Sequence, residues 1–149
     1  RFATAGDKMF LVARDPDRLD IISADLRIRG ASSVHNAVLD VVDLDQHKAT
    51  LDMALQALGE IDLVLIAHGN LPEQRACEES VQATREAFDV NALSTISLLT
   101  RIANTLEQQG NGTIAVISSS FELSNAMAAG FQQHLMLATG LKFTIPNIK

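Results

Sequence analysis

A doubly wound parallel α/β sheet, three layers deep with helices on both faces, is the fold class that this 149-residue sequence predicts. Two observations carry the prediction. Short apolar runs without polar alternation recur along the chain, as expected of strands covered on both faces. Between them lie segments whose apolar residues recur at helical spacing, and the connections are short. That alternation argues for parallel strands joined by crossover helices.

The first apolar run is Met9–Ala13 (MFLVA). Asp15-Pro16 then supplies an N-cap and a proline at the first helical position. Leu19, Ile22 and Leu26 follow at helical spacing, and Gly30 stops the helix. A second strand is expected over Ser33–Val41 (SVHNAVLDV). The next helix starts near Asp45, has Leu51, Ala54, Leu55 and Leu58 on one face, and ends at Gly59. Ile61–Ala67 (IDLVLIA) is the clearest buried strand, and His68-Gly69-Asn70 breaks it. A long helix is expected over Thr84–Gln108, with Phe88, Ala92, Thr95, Leu99, Ile102 and Leu106 on its apolar face. Gly110-Asn111-Gly112 turns the chain into the strand Thr113–Ile117, which ends in Ser118-Ser119-Ser120. A helix over Leu123–Ala138 and a strand over Leu141–Ile148 complete the pattern, although Pro146 would remove one ladder hydrogen bond from the last strand.

The length suits a single domain over residues 1–149 with a sizeable core. Apolar residues make up 47% and charged residues 20%, an ordinary soluble composition. No apolar run approaches the roughly 18 residues that span a bilayer, and no charged-then-apolar leader opens the chain. Neither a membrane nor an export route is expected. The net charge is −6, and Lys and Arg do not cluster, which argues against a nucleic-acid groove. Cys77 is the only cysteine. An internal disulfide and a cysteine metal cluster are thereby excluded, no metal is expected, and a reducing cytoplasm fits best. In EQRACEES the Cys77 thiol reads as a bystander rather than a nucleophile.

Ligands in open sheets of this class bind beyond the carboxyl ends of the strands. LVARDPDRL (Leu11–Leu19) places Arg14 after the first strand. A guanidinium there can hold phosphate with two parallel bonds, or pair on the surface with Asp15 or Asp17. LDVVDL (Leu39–Leu44) places Asp40 and Val41 after the second strand, with Asp43 and Asp45 as caps of the following helix. IDLVLIAHG places Ala67, His68 and Gly69 after the third. His68 is either a general base titrating near neutral pH or a loop histidine beside a ligand. His35, His47 and His134 have no convergent partner in sequence and read as structural or exposed. AFDVNALSTISLL sets Asn91 inside a helix, where asparagine is a poor choice on propensity. GTIAVISSS ends on Ser119.

These strand ends, in this order and spacing, resemble the short-chain dehydrogenase/reductase family over nearly the whole chain. The resemblance implies a Rossmann fold that binds a nicotinamide dinucleotide, with NADP(H) preferred and NAD(H) as the second option. Arg14 would meet the 2′-phosphate of the adenosine ribose. The Asp40 side chain and Val41 backbone would meet the adenine. The backbone at Ala67, His68 and Gly69 would run beside the cofactor, although both asparagines of the family's Asn-Asn-Ala-Gly segment are replaced, by Ile66 and Ala67. Asn91 would hold a water in a proton relay, and Ser119 would hydrogen-bond a substrate carbonyl. The implied activity is reversible hydride transfer between NADP(H) and a small-molecule carbonyl or alcohol. A homodimer or homotetramer, paired through the helices containing Asn91 and Phe131, is the implied assembly.

Two family segments have no counterpart. The Gly-rich turn TGxxxGxG and its strand would precede Arg1, and RFATAGD resembles the end of the helix that follows that turn. The sequence contains no tyrosine, so the YxxxK acid/base segment is absent. Ser120 runs directly into FELSNAMAAGFQQHL, which resembles the family's YxxxK helix entered late, and LKFTIPNIK resembles its sixth strand. The sequence is therefore expected to be a subset of a longer chain, lacking the first strand, a segment between 120 and 121, and a C-terminal part. On its own it should not catalyse the reaction. Two alternatives stay open: a non-catalytic nucleotide-binding sensor or scaffold of the same fold, and a doubly wound signalling domain of the flavodoxin or receiver type. Receivers need an acidic cluster where Arg14, Gly69 and Ser119 stand.

Overall fold

A computed structural model describes residues 1–117. The expected helix Leu123–Ala138, the expected strand Leu141–Ile148 and Ser118–Ser120 lie outside the described residues. The chain divides into two compact units, 1–60 and 61–149.

The first unit opens with a single tight helical turn, Ala3–Ala5, closed by Gly6 in the left-handed region at φ 83°. Strand β1 (Lys8–Ala13) pairs in parallel with β2 (Ser33–Val38), with Lys8 opposite Ser33 and Ala13 opposite Val38. The crossover between them is helix α1 (Pro16–Ile28). Asp15 caps it as expected: its carboxylate accepts the Arg18 N–H at 3.1 Å, and Pro16 occupies the first turn. Helix α2 (Gln46–Leu58) follows β2 and ends at Gly59, φ 86°. Val34 and Ala37 have opposite parity on β2, yet both are buried. The ladder is therefore covered on both faces. Two side-chain bonds lock α1 to β2: Asn36 Nδ2 donates to the buried Ser23 hydroxyl at 3.2 Å, and Arg27 donates to the Val34 carbonyl at 2.6 Å.

The expected strand Ser33–Val41 is three residues too long. Leu39 N–H still bonds Ala13 C=O at 3.0 Å, but the chain then turns. Asp40 Oδ1 accepts the Val42 N–H at 3.2 Å, and Asp43 N–H closes on Asp40 C=O at 2.9 Å. An aspartate bonding the backbone two residues on is a turn former, and here it ends the strand. Asp45 stands at the cap position of α2 but makes no side-chain capping bond.

In the second unit, β3 (Leu63–Ile66) pairs in parallel with β4 (Thr113–Val116), Leu63 opposite Thr113 and Ile66 opposite Val116. Both are shorter than expected. Ile61 is instead held by a side chain: its N–H donates to Gln109 Oε1 at 3.0 Å, and its C=O accepts from Gln109 Nε2 at 3.1 Å. The crossover is built from three helices rather than one. Helix α3 (Gln74–Glu79) was not expected. Helix α4 (Val81–Phe88) starts on Ser80, whose hydroxyl accepts the Ala83 N–H at 3.2 Å. A widened turn, Asp89–Leu93, interrupts the expected long helix before α5 (Ser94–Gln109) resumes. There the Ser94 N–H bonds Asp89 C=O, five residues back instead of four. The expected apolar face is buried at Leu99, Ile102 and Leu106, as are Ile66 and Ile114 of the ladder, but Phe88 is half exposed. Full burial of the strands also fails at Val12, Leu63 and Leu65, which are exposed. Each described ladder has only two strands, so some apolar side chains have no neighbour to cover them.

Candidate functional site

In the first unit, pairing of Ala13 with Val38 brings the ends of β1 and β2 to the same level. Arg14 and Asp40 therefore emerge together, both exposed. The surface pairing considered for Arg14 does not form. Asp15 pairs with Arg18 instead, at 3.4 Å, and among the described residues Arg14 has no ion-pair partner. Asp40 uses Oδ1 to hold the Val42 N–H. Val41, beside it, is held through its carbonyl by His47, whose Nε2 donates at 2.9 Å. His47 has no exposed surface. Reading it as structural or exposed was right in its first half, but its bond to a predicted site residue was not foreseen. The available signal was spacing: His47 shares the helical face of Leu51 and Ala54 on α2.

The second unit gathers the other predicted residues. Ala67, His68 and Gly69 form the loop after β3, and Asn91 lies in the widened turn. The Asn91 side chain reaches back to that loop. Its Oδ1 accepts the Asn70 N–H at 2.9 Å, and its Nδ2 donates to Asn70 C=O at 3.1 Å and to Asn70 Oδ1 at 3.0 Å. Gly69 permits this approach, since a Cβ there would stand 3.1 Å from Asn91 Oδ1. His68 Nε2 lies 2.8 Å from the Ser94 hydroxyl and 3.3 Å from that of Thr95. Ser94 has no exposed surface. Asn70, Ser94 and Thr95 were missed in the sequence. The last two stand three and four residues after Asn91, so they continue its polar stripe on one helix face. Ser119 lies outside the described residues.

Among the described residues, no group of three His, Cys, Asp or Glu side chains could hold a metal ion. No helix among them is long and apolar enough to cross a membrane. Cys77 is a free thiol.

Residues 1–130 match the model of the short chain dehydrogenase family. The chain belongs to the short-chain dehydrogenase family. It is 31% identical over 119 residues to an uncharacterized oxidoreductase of Mycobacterium tuberculosis, covering 80% of this chain and 48% of that protein. It is also 31% identical over 118 residues to a hydroxysteroid 11-beta-dehydrogenase 1-like protein of Xenopus tropicalis, covering 79% and 41%. The chain thus spans just under half the length of these relatives. Solved structures show the same Rossmann fold. An alcohol dehydrogenase from the archaeon Thermococcus sibiricus, complexed with 5-hydroxy-NADP, superposes with a TM-score of 0.82 at 24% identity, over 97% of this chain and 66% of that one. A 7α-hydroxysteroid dehydrogenase complexed with NADH and 7-oxo glycochenodeoxycholic acid gives 0.80 at 21%, over 93% and 58%. As a short-chain dehydrogenase, the chain departs from its family's pattern where Ile66-Ala67-His68 replaces Asn-Asn-Ala. At that point the geometry substitutes a histidine bonded to the following helix.

Proposed function

We propose that the protein containing this chain is an NADP(H)-dependent oxidoreductase that transfers hydride reversibly between nicotinamide and a small carbonyl or alcohol. The observation that carries the cofactor choice is Arg14, an exposed guanidinium at the carboxyl end of β1 with no ion-pair partner among the described residues. A planar fork of donors fits a 2′-phosphate, which an acid at this position would repel. The Thermococcus enzyme carries an NADP derivative and the 7α-hydroxysteroid dehydrogenase carries NADH. The fold accommodates either, so the choice falls to Arg14.

The other residues take compatible roles. Asp40 holds its own turn through Oδ1, which leaves Oδ2 to accept from the adenine amino group. Because His47 engages the Val41 carbonyl, the Val41 N–H is the group offered to the adenine ring. The backbone of Ala67, His68 and Gly69 runs beside the cofactor, with Asn91 fixing its far end. Asn91 also places its turn where a water could be held for proton transfer, and Ser119 hydrogen-bonds the substrate carbonyl. The nicotinamide, when bound, supplies the hydride. Phe88, Leu93 and Ile96 expose apolar surface along α4, the widened turn and α5, which supports pairing of copies through this helix as a homodimer or homotetramer. The single cysteine supports a cytoplasmic setting.

The test is turnover by the full-length protein with a panel of aldehydes and ketones, followed by loss of reduced-nicotinamide absorbance. Turnover with NADPH in preference to NADH is expected. Tight nucleotide binding without turnover would favour the second reading, a nucleotide-binding sensor or scaffold, which leads if the full-length protein also lacks the acid/base tyrosine.

A further inference from the structure

The loop after β3 is tied to the following helix by two sets of hydrogen bonds, and one of them joins His68 to Ser94 and Thr95, which no strand-end pattern singles out. In a regular α-helix the Ser94 N–H would bond Val90 C=O. It bonds Asp89 C=O instead. The Ser94 hydroxyl supplies Val90 C=O with a donor, at 2.5 Å. Thr95 behaves alike, its hydroxyl donating to Asn91 C=O at 3.2 Å. Having donated their hydrogens, both hydroxyl oxygens can only accept, and both face His68 Nε2, at 2.8 and 3.3 Å. A nitrogen facing two acceptors carries the hydrogen, so His68 is an Nε2–H donor here.

From this geometry we infer that His68 is a positioning residue: it orients the Ser94 hydroxyl toward Val90 and thereby holds the widened turn in the register that delivers Asn91 to Asn70. The two ties flank Gly69, His68 on one side and Asn70 on the other, so the loop is clamped at both ends to one helix face. The sequence carries the pair as a unit. A histidine at 68 needs an acceptor at 94, and a serine at 94 suits a turn that leaves the Val90 carbonyl without its usual partner. The functional consequence rests on the reading above, that Asn91 serves hydride transfer.

The experiment uses the full-length protein and three variants: His68→Leu, which removes the donor; Ser94→Ala, which removes the acceptor; and His68→Gln, which returns an amide donor. Hydrogen exchange of the Asn70 N–H reads the Asn91 contact directly, and the buried helix at Leu106 serves as reference. Asn70 exchange is expected to speed up about tenfold or more in His68→Leu and Ser94→Ala, to return toward wild type in His68→Gln, and to leave Leu106 unchanged. Unaltered Asn70 exchange in both, equal acceleration at Leu106, or no recovery in His68→Gln would overturn the inference. Where His68→Leu does not fold, Ser94→Ala gives the same comparison. In parallel, kcat is expected to fall with the NADPH Kd retained. If exchange follows the prediction while kcat does not, the positioning role stands and the assignment of Asn91 to hydride transfer fails.

Discussion

His47, with no exposed surface, donates its Nε2–H to the carbonyl of Val41 at 2.9 Å. A buried side chain on α2 therefore fixes the loop that follows β2, and that loop carries Asp40. His47→Leu keeps the volume but leaves the Val41 carbonyl without this donor. An unmet acceptor of this kind costs about 1–3 kcal/mol, and Val41 is only half-buried, so the lower half of that range is expected. Denaturant unfolding of the full-length protein, wild type against variant, measures it. Unchanged stability would mean that water replaces the imidazole at no loss.

Gln109 offers a second structural test. Its amide meets both backbone groups of Ile61, at 3.0 and 3.1 Å, as a neighbouring strand would. Removing both bonds with Gln109→Ala should destabilise the protein by about 1–3 kcal/mol, taking about 1 kcal/mol for each bond. Gln109→Glu keeps the acceptor but turns a carboxylate oxygen toward the Ile61 carbonyl and the two Asn111 oxygens, and should cost more than alanine. The midpoint of thermal unfolding ranks the three proteins.

Gly69→Ala probes the close approach of loop and helix. The added Cβ would stand 3.1 Å from Asn91 Oδ1, so one of them must shift. Overpacking at such a contact costs about 1–3 kcal/mol. Nicotinamide-dependent turnover should fall along with stability, because the displaced atom is the one that accepts the Asn70 N–H.

Exposed Phe88, Leu93 and Ile96 lead to a prediction about assembly. The triple substitution to serine should convert a dimer or tetramer to monomer by sedimentation, with little change in helical content. A monomeric wild type would contradict the assignment of this face to self-association.

Much of the fold was legible because its signals are local. Asp15-Pro16 capped α1 as read, Gly59 ended α2, and the apolar spacing of Leu99, Ile102 and Leu106 marked the buried face of α5. The strand ends were less accurate, since side chains decide where a ladder stops. Asp40 turns the chain early, and the Gln109 amide takes the Ile61 backbone groups that a neighbouring strand would pair. The widened turn at Asp89–Leu93 was invisible to periodicity, because one extra residue barely disturbs a helical pattern. At the candidate site, Arg14 and Asp40 were singled out by their place after strands and Asn91 by its place inside a helix. Their supports were not: His47, Ser94 and Asn70 act through contacts between residues 6 to 26 positions apart. Only folding makes those neighbours.

Selection of the 2′-phosphate by Arg14 is tested most directly by titrating NADPH and NADH into the full-length protein and its Arg14→Ala variant. Hydrogen bonds to a charged group contribute about 1.5–3 kcal/mol, equivalent to roughly tenfold to hundredfold in Kd. Wild type should bind NADPH more tightly than NADH by about that factor, and Arg14→Ala should lose the difference while keeping its NADH affinity. Equal loss for both cofactors, or a wild type that prefers NADH, would contradict the account.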